Sequence, residues 1–261
     1  MSESQNEKYA YLYPLQVNST AEEPYLRLPP PHANIILTPP RPSDPAALVE
    51  ILSDPRVYKR LSGPPFPYRL EDGEEWIKLI TDAYQNALAT LREAYDRSRA
   101  NGDGNGDRDT LPYVDVCPLR YLREVAEDGS DVLIGEISPH RCEFPDVLKD
   151  PEERTQLFRE NANLPPGDPS IVWCIGDFLK GTHHGRGIMT AALKTLMDEW
   201  MIVRMGSKQL RVEAFIGNVG SVRVFEKNGF VWEKQVEHDI LTNCGERYAG
   251  FNVLWWRKGE A

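Results

Sequence analysis

The segment running from Ile171 to Leu193 constrains the fold more than any other part of the chain. Ile171-Val172-Trp173-Cys174-Ile175-Gly176-Asp177-Phe178-Leu179 is almost continuously apolar, which reads as a strand buried on both faces and therefore central in its sheet. Lys180-Gly181-Thr182-His183-His184-Gly185-Arg186-Gly187 follows, and then Leu193, Leu196, Met197, Trp200 and Val203 recur at helical spacing. A buried strand thus passes to an amphipathic helix through a Gly-x-Gly turn. The first N–H groups of a helix have no acceptor within it and carry the positive end of its dipole. Glycines let an anion approach that backbone closely. The segment reads as a binder of phosphate or pyrophosphate. It is not a Walker A loop, since Gly-Lys-Ser/Thr is absent. Nor is it the G-x-G-x-x-G dinucleotide motif, because Thr190 stands at the third glycine and the motif lies about two-thirds of the way along the chain.

Composition bounds the setting. The 261 residues suffice for one large domain with extensions. Lys and Arg number 30 against 40 Asp and Glu, a net charge of -10, which argues against nucleic-acid binding through a basic footprint. No run approaches the roughly 18 apolar residues of a membrane helix. Met1 to Lys8 has neither a basic nor an apolar leader region, so a cytoplasmic address is expected, with the nucleus as the alternative. Cys117, Cys142, Cys174 and Cys244 form no C-x-x-C pair and read as reduced thiols rather than a metal or redox motif.

Along the chain, residues 1–33 are rich in Tyr and Pro and read as an irregular arm. Their apolar content (Tyr9, Tyr11, Leu12, Leu15, Leu26 among others) implies packing along the surface of a domain that spans 34–261. Ile35 to Thr38 is the first clear strand. Asp44-Pro45 reads as a cap and first helical residue, with Ala46 to Leu52 continuing. Trp76, Ile80, Ala83, Ala87, Leu88, Leu91 and Tyr95 predict a long helix. Leu119 to Glu127 and Val132 to Ser138 predict a hairpin turning at Asp128-Gly129. Leu210 to Phe215 and Phe251 to Trp256 read as strands, and Val222 to Asn228 as a short helix. Insertions are expected near 96–115 and 140–169, the second carrying a helical patch at Glu152 to Asn161.

The run Asn101-Gly102-Asp103-Gly104-Asn105-Gly106-Asp107 invites a calcium reading. Counted from Asn101, Gly106 falls at the sixth position but Pro112 falls at the twelfth, where a bidentate Glu is needed. It reads as a solvated loop. The tandem His183-His184 has no third ligand placed by spacing, so no metal is expected there.

The phosphate-loop segment resembles the acetyl-CoA motif of the GNAT superfamily of N-acetyltransferases, Gln/Arg-x-x-Gly-x-Gly/Ala, with Thr182 at the Gln/Arg position. Asn218-Val219-Gly220-Ser221-Val222-Arg223-Val224-Phe225-Glu226-Lys227-Asn228-Gly229-Phe230 resembles the N-x-x-S-x-x-x-x-E-K-x-G-F signature of the RimJ/RimL-like branch. Leu37 to Arg41, Ser53 to Val57, Glu75-Trp76 and Gly135-Glu136-Ile137 resemble its earlier elements. The resemblance implies an α/β fold: a mixed, mostly antiparallel, twisted sheet flanked by helices, with two splayed central strands.

It also implies a function: transfer of an acetyl group from acetyl-CoA to a primary amine, on a protein N-terminus or a small molecule, directly within a ternary complex. Acetyl-CoA would be held by backbone groups of Ile175, Phe178 and Leu179, by the N–H groups from His184 through Gly185, Arg186 and Gly187 to Ile188, and by Met189, Asn218, Ser221, Phe225 and Lys227. Lys180, Arg186, Arg223 and Lys227 form a basic cluster suited to phosphates. Many relatives donate a proton to the leaving thiolate from a Tyr; here Phe225 stands in that place, and Ser221 is the candidate donor. Candidate bases are Glu237 or Asp239, then Asp177, then Glu136. The alternatives are a non-catalytic acyl-CoA-binding module and a protein-interaction module working through the Tyr/Pro-rich arm. If the 140–168 insertion covers the acceptor side, a small acceptor is favoured over a peptide.

Overall fold

The computed structural model describes residues 8–18, 20–100, 111–147 and 150–259. The Gly/Asp run at 101–107 lies outside them. Nine described strands form one sheet in the order β1-β2-β3-β4-β5-β6-β7-β9-β8. They are β1 Gln16–Asn18, β2 Glu23–Arg27, β3 Ile35–Thr38, β4 Tyr121–Val125, β5 Asp131–Arg141, β6 Val172–Leu179, β7 Gln209–Phe215, β8 Val231–Leu241 and β9 Arg247–Arg257. Every neighbouring pair is antiparallel except β6 and β7. The helices that matter below are α1 Pro45–Leu52, α2 Pro55–Tyr58, α3 Leu70–Ala100, α4 Pro151–Asn163, α5 Ile188–Leu196 and α6 Val219–Glu226. No described helix is long and apolar enough to cross a membrane.

Strand alternation divides the core into two layers. Leu122 and Ile134 join α5 and the N-terminal segment in the larger apolar cluster. Their neighbours Tyr121 and Leu133 join Leu48, Ile51, Ile77 and Ile80 in the smaller one. Adjacent residues of a strand point to opposite faces, so α5 covers one face of the sheet and α1 with the start of α3 covers the other. The expected helical spacing is realised in α3, where Ile77, Ile80, Ala87 and Leu91 are buried.

Three expectations are corrected. First, the chain before residue 34 is not irregular throughout: β1 and β2 extend the sheet beyond β3. Leu12 and Leu28 are buried. The buried Arg204 guanidinium donates to the carbonyls of Tyr11, at 3.0 Å, and Tyr13. These strands have three and five residues and one contains Pro24, too short and too interrupted for alternation to show. Second, β8 was not expected. It is an edge strand exposed on both faces, so it has no apolar period. Third, the side chain of Asp44 does not cap α1. It accepts two hydrogen bonds from Arg123, at 2.7 and 2.9 Å, and both groups are buried.

A candidate active site between two diverging strands

β6 and β7 pair only through Val172 with Gln209 and Trp173 with Leu210. On its other side β6 is paired with β5 from Trp173 to Leu179, and β7 is paired with β9 along its whole length. The strands are therefore held firmly from outside and part in the middle. From Cys174 to Leu179 the inner edge of β6 is open over about 20 Å, at strand rise. A cleft of about 650 Å³ occupies the gap. Ile175, Gly176, Asp177, Phe178 and Leu179 form one wall, Glu213, Ala214 and Phe215 the other.

One end of the cleft is the start of α5. Gly185 and Gly187 have φ of 72° and 80°, left-handed values that favour glycine. An added Cβ at Gly185 would meet nothing within 4 Å, so the loop is open on the side a ligand would approach. The first α5 bond from this turn runs from the Ala191 N–H to the Gly187 carbonyl. The N–H groups of Ile188, Met189 and Thr190 precede it and lie in the first turn, where no helical acceptor exists. His184, Gly185, Gly187, Ile188 and Met189 line the cleft, as do Asn218, Ser221, Phe225, Arg223 and Lys227 from the start and inner face of α6.

The other expected contacts are placed differently. Lys180 is held by Glu50 at 2.6 Å, and Arg186 leans toward Glu124 at 3.7 Å. Neither side chain is part of the cleft wall. His183 meets Thr182 and Glu124 while His184 meets the Leu179 carbonyl, so the two rings turn to separate partners. The Asn218 side chain accepts from the Ser221 N–H and caps α6; Ser221 lines the cleft, and its hydroxyl has no side-chain or backbone partner among the described residues. Phe225 is buried against Phe230, ring centres 5.2 Å apart.

The candidate bases separate clearly. Glu237 and Asp239 lie on the exposed β8, outside the cleft, and Asp239 is paired with Arg247. Glu136 is buried and bound to Arg120 at 2.8 Å; burial raises its pKa against that pairing. Asp177 does line the cleft. Burial with no compensating partner pushes it up to about 6. Glu213 also lines the cleft and carried no sequence signal, being one polar residue in a regularly alternating strand. Burial pushes it up to about 7, opposed by Arg211 and assisted by Asp146. Cys174 Sγ donates to it at 3.8 Å.

The two carboxylates look to different faces. Ile175 and Leu179, in step with Asp177, belong to the cluster that includes Ile188 and Met189 of α5. Leu210 and Val212 belong to it as well, so Glu213 and Phe215 point to the opposite face. There the cleft is bounded by Arg56 of α2 and by Arg60, Ser62 and Gly63 after it. The β8–β9 turn is latched over that loop: Asn243 donates to the carbonyls of Ser62 at 3.1 Å and Pro64 at 2.9 Å, and Lys59 pairs with Glu246 at 2.6 Å. Of the 140–168 insertion, only Pro145 reaches the cleft among the described residues. Its helix α4 is anchored by the buried Asn161, whose side chain bonds both backbone groups of Val172 at the closed end of the splay.

Residues 120–231 match the family model described as acetyltransferase (GNAT) domain. Among curated proteins none matches the sequence significantly. Several solved structures share the fold. The ribosomal-protein-S5-alanine acetyltransferase from Vibrio fischeri is 14% identical with a TM-score of 0.51, covering 90% of this chain and 97% of its own. RimL, a ribosomal L7/L12 alpha-N-protein acetyltransferase in complex with coenzyme A, is 14% identical with a TM-score of 0.53, covering 89% and 97%. Mycobacterium smegmatis RimJ in complex with a CoA-disulfide is 16% identical with a TM-score of 0.51, covering 91% and 88%.

Proposed function

We propose that this chain, which matches the GNAT acetyltransferase domain model across residues 120–231, moves an acetyl group from acetyl-CoA directly to a primary amine, of a protein N-terminus or a small molecule. The observation that carries the reading is the parting of β6 and β7 after Trp173 and Leu210, beside a helix start with unbonded N–H groups. A free strand edge suits the amide groups of a pantetheine arm, and the loop suits the pyrophosphate it hangs from.

In this reading the N–H groups from His184 to Met189 bind the pyrophosphate, and Arg223 and Lys227 add positive charge. The open edge of Ile175 to Leu179 accepts and donates to the arm as a further strand would, which brings the thioester to the floor of the splay. The acceptor arrives from the opposite face, past Arg60 and Phe215.

An amine attacks only when neutral, and an α-amine of pKa near 8 is neutral far more often at pH 7 than a Lys amine near 10.4. Glu213, on the acceptor face, takes the proton as the C–N bond forms; Asp177 is the second candidate. As the C–S bond breaks, the departing thiolate takes a proton that solvent water relays through the Ser221 hydroxyl, so the serine ends the step protonated. Phe225 stands where many relatives have a Tyr, so the hydroxyl of Ser221, which lines the cleft, is the group that hands on the proton at that end.

The test is thiol release from acetyl-CoA in the presence of a panel of primary amines. The reading expects release that requires an amine, with intersecting initial-rate lines as a ternary complex demands. Acetyl-CoA binding with no release against any amine would assign the chain to the non-catalytic alternative.

A further inference from the structure

The acceptor side of the cleft holds a cation that no carboxylate neutralises. Arg60 lines the cleft and is exposed, and among the described residues no acidic side chain pairs with it. Its neighbours behave otherwise: Arg56 is bound to Asp54 at 2.6 Å and Lys59 to Glu246 at 2.6 Å. In a chain of net charge -10, an unpaired arginine on a cavity wall is the less expected arrangement. The guanidinium lies over the Tyr248 ring, 5.7 Å from its centre, which orients it without using its five donors.

Tyr248 is the end of an aromatic stack. Its ring lies parallel to Phe215 with centres 4.2 Å apart, and Phe215 lies over Phe251 at 5.5 Å. Phe215 and Phe251 line the same cleft. Next along β7 on that face is Glu213, whose carboxylate is ion-paired through one oxygen with the buried Arg211 and accepts from Cys174 Sγ through the other. One wall therefore presents a carboxylate, then an aromatic surface, then a guanidinium.

We propose that the acceptor is an amine that also carries a carboxylate, with an apolar body between them: the amine at Glu213, the body on Phe215 and Phe251, and the carboxylate on Arg60. The inference rests on the acetyl-transfer reading and narrows it. A guanidinium presents paired N–H donors in the geometry of a carboxylate, whereas a polyamine would bring a second positive charge to Arg60. Two sources share this chemistry, a free α-amino acid and a peptide whose second residue is acidic.

The experiment compares kcat/KM, corrected for the fraction of neutral amine, for L-phenylalanine against its amide and for a peptide with Asp second against the same peptide with Asn. Spermidine serves as the carboxylate-free amine. Acetyl-CoA affinity is measured separately by calorimetry on every variant. The expected result is at least a tenfold preference for the carboxylate member of one pair, which tells the two sources apart. Arg60→Gln should reduce that preference to near one with acetyl-CoA affinity unchanged, and Arg60→Lys should retain part of it. Equal use of acid and amide, a preference that survives Arg60→Gln, or turnover of spermidine alone would overturn the proposal. Bound acetyl-CoA with no amine turned over, spermidine included, or failure of acetyl-CoA to bind at all, would instead sink the acetyl-transfer reading beneath it.

Discussion

Trp173 and Leu210 form the last backbone pair between β6 and β7, and everything that makes the cleft depends on what happens after them. Each strand keeps its outer partner while losing its inner one. The open backbone edge is thus a built feature of a rigid sheet rather than a frayed end.

Asp177 and Glu213 are both raised by burial, to about 6 and about 7. If one of them takes the proton from the amine, kcat/KM for neutral amine rises with pH through that range and then levels. Glu213→Gln should remove the rise and lower kcat by about 10²-fold or more. Asp177→Asn should leave it if Glu213 is the base. A pH–rate profile of the two variants decides between them.

The same shifts have a stability consequence. A carboxyl whose folded pKa exceeds its unfolded value binds more protons when folded, so its contribution is fully present below about pH 4 and is lost as pH rises through 6 to 7. For Asp177 the shift from 3.8 to about 6 corresponds to about 1–3 kcal/mol. Asp177→Asn should therefore gain stability relative to the parent at pH 8 and show little gain at pH 4, by urea denaturation at both.

Ser221→Ala tests the proposed role of its hydroxyl at the departing thiolate without disturbing the helix, because the α6 cap comes from the Asn218 side chain. The expected outcome is a fall in kcat of about 10²-fold with acetyl-CoA affinity held within about twofold. Unchanged kcat would remove Ser221 from the chemistry.

Gly135 faces the β6 backbone so closely that an added Cβ would lie 2.4 Å from the Phe178 carbonyl oxygen. Gly135→Ala must push β5 and β6 apart at the cleft wall. A loss of about 1–3 kcal/mol is expected, together with weaker acetyl-CoA binding, since Phe178 and Leu179 belong to the open edge. Chemical denaturation and calorimetry read the two effects.

Asp44→Ala removes the close carboxylate partner of the buried Arg123 guanidinium and leaves it only Asp131, at 3.8 Å. The cost should be about 3–5 kcal/mol, several times what loss of an exposed helix cap would bring. A change under 1 kcal/mol would show that the Asp44–Arg123 pair contributes little to stability.

Much of this was legible in the sequence where the period was strong. The α3 spacing from Trp76, the apolar run of β6 and the Gly185-Arg186-Gly187 turn each carry one dominant signal, and the helix start with its glycines is where the phosphate site was expected. What escaped had no local signal. Val231 to Leu241 is exposed on both faces, so nothing alternates. Glu237 and Asp239 fall on that strand, outside the cleft. Glu213 looks like any outward residue of an alternating strand; Cys174, which bonds it from the neighbouring strand, is 39 residues away in the sequence. Arg60 and Asn243 meet the cleft and its latch through tertiary contacts across about 180 residues.

The most direct test of the account is calorimetric titration of acetyl-CoA into the intact protein, beside a Gly187→Glu variant and an Arg223→Glu, Lys227→Glu variant. Micromolar, stoichiometric binding is expected for the parent. Gly187→Glu should abolish it, and the double charge reversal, made at exposed positions, should weaken it at least tenfold with the melting temperature preserved. No binding to the parent, or equal binding to all three, would contradict the placing of acetyl-CoA between β6 and β7.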